Sequence, residues 1–305
     1  MIYQGQDEVR KKSRLRLDDD CTTKLLICRG SLAKAGDLLF YGKINIMQKL
    51  FIKNRKNQKI AVVVNIPEKP VGIAFVMHGL SGYKEQLSIQ VAADVFYKQD
   101  LVSVIFDTTN TFGESEGDYE KATAEQYYQD LEDVISWSKS QDWYQEPFFV
   151  SGESFGGYCA TRFAETYPGL VKGLFAFAPF ISGKTSEEAH KRFASEEFAE
   201  WEKTGWLCKP SSSKPGLIKK LPWSHMEERY KHDLMLNVSK ITAPVLLVVG
   251  EKDTSIPPYQ QKVLFDAINS EKEMVIVSGA PHNFKKEDDL NTLKIILTKW
   301  IKKVI

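Results

Sequence analysis

Long apolar runs, an excess of one charge and clustered cysteines are all missing from this sequence of 305 residues. No uninterrupted apolar stretch reaches the roughly 18 residues of a membrane span, so no spanning helix is expected. The opening, MIYQGQDEVRKKSRLRLDDD, lacks the apolar segment of a secretory signal. Its 41 basic side chains face 40 acidic ones, a formal net charge of +1. A chain whose main partner is nucleic acid carries a basic excess, so no nucleic-acid partner is expected. The four cysteines, Cys21, Cys28, Cys159 and Cys208, are too scattered for a disulfide framework or a zinc site. A reducing compartment, the cytoplasm, is the simplest reading of them. No internal repeat and no cluster of metal ligands is visible, and neither a metal nor a cofactor is expected.

What is present is an ordinary globular composition, 43% hydrophobic and 27% charged, which excludes wholesale disorder. Residues 1–46 mix basic and acidic clusters with two short apolar patches and hold no period, so a weakly ordered extension is expected there. Met47 stands just before the first convincing strand and is a candidate start of the native protein. Any peptide from 1–46 in mass spectrometry of native material would exclude that. From residue 48 the chain becomes rhythmic. Two β-rich runs, 49–53 and 59–66, flank a polar turn and read as a hairpin. Short, almost wholly apolar strands follow at 72–77, 102–106, 148–150, 173–178, 245–249 and 274–277. Unbroken apolarity means burial on both faces, as in a parallel sheet. Helical patterns at 85–98, 124–140, 155–166, 259–268 and 288–302 lie between them. The expected fold is therefore α/β: a doubly wound, mostly parallel central sheet with an antiparallel hairpin at its edge.

One interval breaks the alternation. Residues 181–240 carry no strand pattern. A capping box at Thr185-Ser-Glu-Glu188 and apolar Ala194, Phe198 and Trp201 at helical spacing suggest one helix, and 224–237 a second, after a break at 210–216. The interval reads as a helical cap inserted into a core of 47–180 and 241–305, above the C-terminal strand ends where ligands of such sheets bind.

Chemistry concentrates at those ends. Gly152-Glu-Ser-Phe-Gly156 is a G-x-S-x-G between a strand and a helix, the setting in which a serine is held on a strained turn with its hydroxyl free. Ser154 is the candidate nucleophile, with Gly152, Gly156 and Gly157 keeping side chains away; a structural Gly-Ser turn is the alternative. A serine needs a base, and the base an orienting acid. His282, in the loop after the last apolar strand, and Asp253, after the strand before it, are the candidates. A loop histidine and a helix-capping aspartate are the bland readings, and Glu251 is a lesser candidate acid. The order Ser, Asp, His, each at a strand end, is that of one triad type only. His78-Gly-Leu-Ser-Gly82 follows the 72–77 strand, and the N–H groups of Leu80 and Phe155 are the candidate oxyanion donors. His78, beside Gly79, is read as fixing that loop rather than as a base. His225 and His232 are read as ordinary surface residues. Ser182-Gly-Lys-Thr185 echoes a phosphate loop but lacks its first glycine. The aromatics Phe193, Phe198, Trp201, Trp206 and Trp223 are read mainly as packing.

From about residue 48 onward these ordered motifs, with Asp107…Phe112-Gly-Glu-Ser-Glu-Gly117, Gly250-Glu-Lys-Asp253 and Pro281-His282, resemble the serine-esterase branch of the α/β-hydrolases. The chain is similar to bacterial feruloyl (cinnamoyl) esterases and monoacylglycerol-lipase-like enzymes. The segment after Asp107 departs from the family's usual F-D-x-R-G-H-G-x-S by lacking Arg-Gly-His. The resemblance implies hydrolysis of a small-molecule ester through an acyl-enzyme. An aminopeptidase or thioesterase on the same triad, or a non-catalytic binding protein, remains as an alternative. An aminopeptidase would need carboxylates near the pocket, and the glutamates of 187–202 are its candidates.

Overall fold

The structure, a computed structural model, describes residues 46–211 and 213–305. The expected extension therefore lies outside the described residues, except that Ile46 already opens a strand. Strands β1 (Ile46–Lys53) and β2 (Lys59–Ile66) form the antiparallel hairpin. There follow β3 (Gly72–Met77), α1 (Leu87–Lys98), β4 (Leu101–Phe106), α2 (Ala124–Ser138), β5 (Phe148–Glu153), α3 (Phe155–Thr166) and β6 (Val171–Phe177). After the inserted interval come β9 (Val245–Gly250), α7 (Pro258–Ala267), β10 (Lys272–Val277) and α8 (Glu287–Val304).

The eight strands pair in the order β1-β2-β4-β3-β5-β6-β9-β10, and every pairing beyond β2–β4 is parallel. This is the doubly wound sheet with an edge hairpin that the apolar runs imply. Alternate residues feed two cores. Ile73, Phe75 and Met77 pack with α2, α3 and α7, whereas Ala74 and Val76 pack with α1 and α8. β3, β4 and β5 are buried at every position, so their sequences run mostly apolar rather than alternating, with Ser103 in β4 and Ser151 and Glu153 in β5 as the polar exceptions.

The interval 181–240 is not purely helical. It holds α4 (Gly183–Phe193), α5 (Ser195–Thr204), an antiparallel hairpin of β7 (Trp206–Pro210) and β8 (Ile218–Pro222), and α6 (Ser224–Arg229). The hairpin is absent from the sequence reading because strands of five residues containing proline and lysine carry no apolar alternation. The helix expected through Ala194 is two, broken at Ala194 itself (φ −151°, ψ 49°). Its first turn begins earlier than the expected capping box. Ser182 accepts from Thr185 N–H, and Thr185 reciprocates at the Ser182 backbone, so the apparent phosphate-loop echo is a helix cap. The second expected helix stops at Arg229 and gives way to short 3₁₀ turns. Phe198, Trp201, Leu207, Leu221 and Met226 form a separate small core with Tyr119 from the main body.

Candidate active site

Ser154 stands between β5 and α3 with φ 55° and ψ −113°, a left-handed conformation that costs a non-glycine residue energy. The turn is held on both sides: Ser154 N–H donates to Phe177 O (2.8 Å), and Ser154 O accepts from Phe180 N–H (3.0 Å). Glycine is obligatory beside it for want of space. A Cβ on Gly152 would lie 2.2 Å from Gly156 C, and one on Gly156 would lie 2.6 Å from His78 O. A Cβ on Gly79 would lie 3.1 Å from Ser154 Cβ.

Asp253 and His282 meet at the ends of β9 and β10. Asp253 is buried; its Oδ1 accepts from the N–H groups of Ser255 (2.9 Å) and Ile256 (2.8 Å). That leaves Oδ2 for His282 Nδ1, 2.6 Å away. The carboxylate thereby fixes the proton on Nδ1 and keeps Nε2 as the acceptor nitrogen. Burial pulls the His282 pKa down, but the charge and hydrogen bond of Asp253 outweigh it, and the net shift is upward. Gly250 permits the approach, since a Cβ there would lie 2.4 Å from Ala280 O and 2.5 Å from Pro281 O. Phe284 anchors the histidine loop edge-on against Phe177, with ring centroids 4.4 Å apart. Glu251 points elsewhere: its exposed carboxylate accepts from Gly279 N–H (2.7 Å) and Ser278 Oγ–H (3.0 Å).

Ser154, Phe155, Gly79, Leu80 and His282 all line one cavity of about 400 Å³, roofed by residues of the 181–240 interval. His78 is fully buried. Its Nδ1–H donates to Gly79 O (2.8 Å), and Nε2 accepts from Thr108 N–H (3.1 Å). Burial lowers its pKa, so it holds the loop as a neutral ring.

The segment that departs from the usual pattern has its own clasp. Asp107, at the end of β4, accepts from Lys84 N–H, Lys84 Nζ and Glu114 N–H, each at 2.7 Å. Lys84 is wholly buried and also reaches Glu114 Oε2 (2.5 Å) and the Glu85 carboxylate (2.9 Å). Gly113 is required there, because its Cβ would fall 2.1 Å from Asp107 Cγ. The clasp ties the loop carrying Leu80 to the loop after β4. Nothing in the spacing of Lys84 and Asp107 announces it.

Two histidines are not where they were expected. His225 and His232 are buried, not superficial. His225 Nδ1–H donates to Ala122 O (2.6 Å), its ring stacks 5.8 Å from Phe155, and burial pushes its pKa down to about 3. His232 bridges Tyr158 Oη (2.8 Å) and Glu228 Oε1 (2.6 Å). Glu228 also accepts from Ala124 and Glu125 N–H, both at 3.0 Å, across the boundary between insertion and core. Helical spacing in a polar segment gives no sign of such burial. Of the five aromatics named above, Trp201 alone lines the cavity, Phe198 is buried away from it, and Phe193 and Trp206 are exposed. Cys159 is buried and free, and Cys208 is exposed and free. Among the described residues no helix is long and apolar enough to cross a membrane, and no group of side chains could hold a metal.

A parallel sheet crossed by helices, a serine on a left-handed turn after β5 and a paired histidine and aspartate at the later strand ends define an α/β-hydrolase. The chain belongs to the Hydrolase_4 family, described as serine aminopeptidase, S33, which matches residues 68–289. It is 24% identical over 281 residues to an uncharacterized 31.7 kDa Escherichia coli protein of the traX-finO intergenic region, covering 82% of this chain and 98% of that one. It is also 24% identical over 241 residues to the mouse mitochondrial palmitoyl-protein thioesterase ABHD10, covering 77% of each. Over 221 residues it is 23% identical to a thermostable monoacylglycerol lipase of Bacillus sp. strain H-257, covering 70% of this chain and 83% of that one. Its fold matches that of Est1E of Butyrivibrio proteoclasticus, solved with ferulic acid, with a TM-score of 0.69 at 17% identity, covering 83% and 98%.

Proposed function

We propose that this hydrolase cleaves carboxylic esters with Ser154 as nucleophile, His282 as general base and Asp253 as its orienting acid. The observation that carries the reading is His282, paired with Asp253 at 2.6 Å, lining the same cavity as a serine in a strained turn. Ser154 Oγ attacks the ester carbonyl while His282 Nε2 takes its proton; the histidine then returns that proton to the leaving alcohol. The N–H groups of Leu80 and Phe155 receive the developing oxyanion. Water repeats the sequence on the acyl-enzyme and frees the acid. The 181–240 interval acts as the cap over this chemistry, no cofactor takes part, and the cytoplasm is the proposed location.

A thioester is the second reading, favoured by the name of the mouse relative and requiring the same steps. An aminopeptidase is disfavoured. Its substrate's α-ammonium needs a carboxylate, and among the described residues Glu153 is the only acid lining the cavity. That carboxyl accepts from Ser88 Oγ–H (2.5 Å), and burial raises its pKa toward the neutral form. None of the glutamates of 187–202 lines the cavity; Glu187 pairs with Lys191 and Glu197 with Lys209.

Fluorophosphonate labelling with the modified peptide mapped by mass spectrometry tests the reading. Rapid modification at Ser154 alone, abolished by Ser154→Ala, is expected, with aryl esters turned over faster than aminoacyl anilides. A folded protein that resists the reagent would move the binding-protein reading to first place.

A further inference from the structure

The cavity holds a charge with no counter-charge. Arg229, the last residue of α6, is buried and lines the cavity with Ser154. Its Nε–H donates to His225 Nε2 (3.0 Å) and its Nη1 donates to Ser186 Oγ (2.8 Å). Both acceptors are neutral. The nearby carboxylate of Glu228 is already committed to His232 and to the backbone of Ala124 and Glu125. No carboxylate among the described residues forms an ion pair with the guanidinium, whose carbon lies 4.9 Å from the Phe155 ring centroid.

A guanidinium stays protonated even where burial brings its pKa down to about 10, so the cavity wall carries a full positive charge. An unpaired buried charge is costly, and the cost is removed when a partner of opposite charge arrives. Two further donors lie on the same cavity. Among the described residues, the half-buried Lys219 has no carboxylate partner and the buried Trp201 indole N–H no acceptor. Lys209, also on the lining, is the one cation there with an acid, Glu197 at 2.6 Å. Against these, among the described residues lining the cavity, stands only Glu153, already held by Ser88.

We infer that the substrate carries an anionic group, a carboxylate or phosphate, that enters the cavity and is received by the open donors of Arg229, with Lys219 adding charge. This rests on the ester-hydrolase reading and narrows it to esters of dicarboxylic or hydroxycarboxylic acids, or of phosphorylated alcohols. The guanidinium's fork suits two-point contact with such a group. A packing role alone would be served by a neutral side chain of the same length, stacked on Phe155 and Phe180.

Labelling and kinetics on the full-length protein separate the two layers of the argument. Fluorophosphonate labelling of Ser154 is measured first; its absence would overturn the hydrolase reading and this inference with it. With labelling established, kcat/KM is compared for p-nitrophenyl adipate monoester against p-nitrophenyl hexanoate. On the leaving-group side, meta-acetoxybenzoate is compared with its methyl ester. One charged probe is expected to exceed its neutral twin by about tenfold to hundredfold, the size of a charged hydrogen-bonded contact. Arg229→Met should collapse that ratio toward unity, and Arg229→Lys should restore part of it. Equal turnover of charged and neutral probes by a protein that labels at Ser154 would sink the inference while leaving the hydrolase intact. A ratio that survives Arg229→Met would do the same for the role of Arg229. Should the variants fail to fold, protection of the unaltered protein decides: adipate is expected to slow labelling where hexanamide does not, and equal protection would refute the anion site.

Discussion

Replacing Asp253 by asparagine changes one atom of the carboxylate, and the structure dictates which. Oδ1 is held by two backbone N–H donors, at 2.9 and 2.8 Å, so the amide oxygen must take that place. The amide NH₂ then faces His282 Nδ1, which must become an acceptor. The imidazole proton moves to Nε2, the nitrogen that should receive the serine proton. Where a triad loses its acid in this way, kcat falls by about 10⁴, roughly 5 kcal/mol of transition-state stabilisation. The pH profile moves as well. His282 must be neutral to act, and with its pKa raised, the acid limb of kcat/KM in the unaltered protein should lie above the ordinary 6.5. In the variant, burial is the largest influence left and lowers that pKa against the smaller upward pull of Glu153, so the limb should fall below 6.5. The pairing also adds stability that is complete below the unfolded histidine value and fades as pH rises through the raised folded one. Ester turnover, labelling rate and a melting curve across pH are the assays, with Glu251→Gln as the control expected to keep its activity. A variant Asp253→Asn that retains the acid limb and a rate within about tenfold of the parent would refute the assignment of the orienting acid.

Three other perturbations test the frame around the site. Lys84→Met strands the buried Asp107 carboxylate, which should cost about 3–5 kcal/mol and lower the melting temperature by about 6–20 °C in calorimetry. Gly156→Ala places a methyl against two backbone carbonyls, His78 O at 2.6 Å and Met77 O at 2.7 Å. Neither can yield as a flexible side chain could, so lost labelling and a lowered melting point are expected, and an unchanged melting curve would count against the packing argument. Glu228→Ala frees two N–H groups at the start of α2 and one side of His232, and should cost about 1–2 kcal/mol in denaturant unfolding.

Much of the core is legible in the sequence because burial on both faces leaves a mark that period alone can find. The strands Gly72–Met77 and Val245–Gly250 are apolar throughout, and the helix Phe155–Thr166 lies where its pattern places it. β10 is found by its apolar run at 274–277, yet that run is not buried on both faces, since β10 closes the sheet and exposes Ile276 at its edge. The candidates Ser154, Asp253 and His282 are reached by motif and order, each lying within a few residues of a strand end. Arg229, Lys84 and the two buried histidines escape because their meaning depends on partners distant in sequence: Lys84 finds Asp107, His225 finds Ala122, and Arg229 finds Ser186. A polar residue in a polar stretch reads as surface until the other element is known to cover it.

Glu228 has a consequence for how freely this architecture can be recombined. It belongs to the inserted interval, yet it terminates a helix of the main body. Grafting the insertion of a relative onto this scaffold would open the first turn of α2 unless the donor brought a carboxylate to the same place. The part that shapes the pocket is thus not a portable module, and changes that retune selectivity there are filtered by what they do to the foundation below.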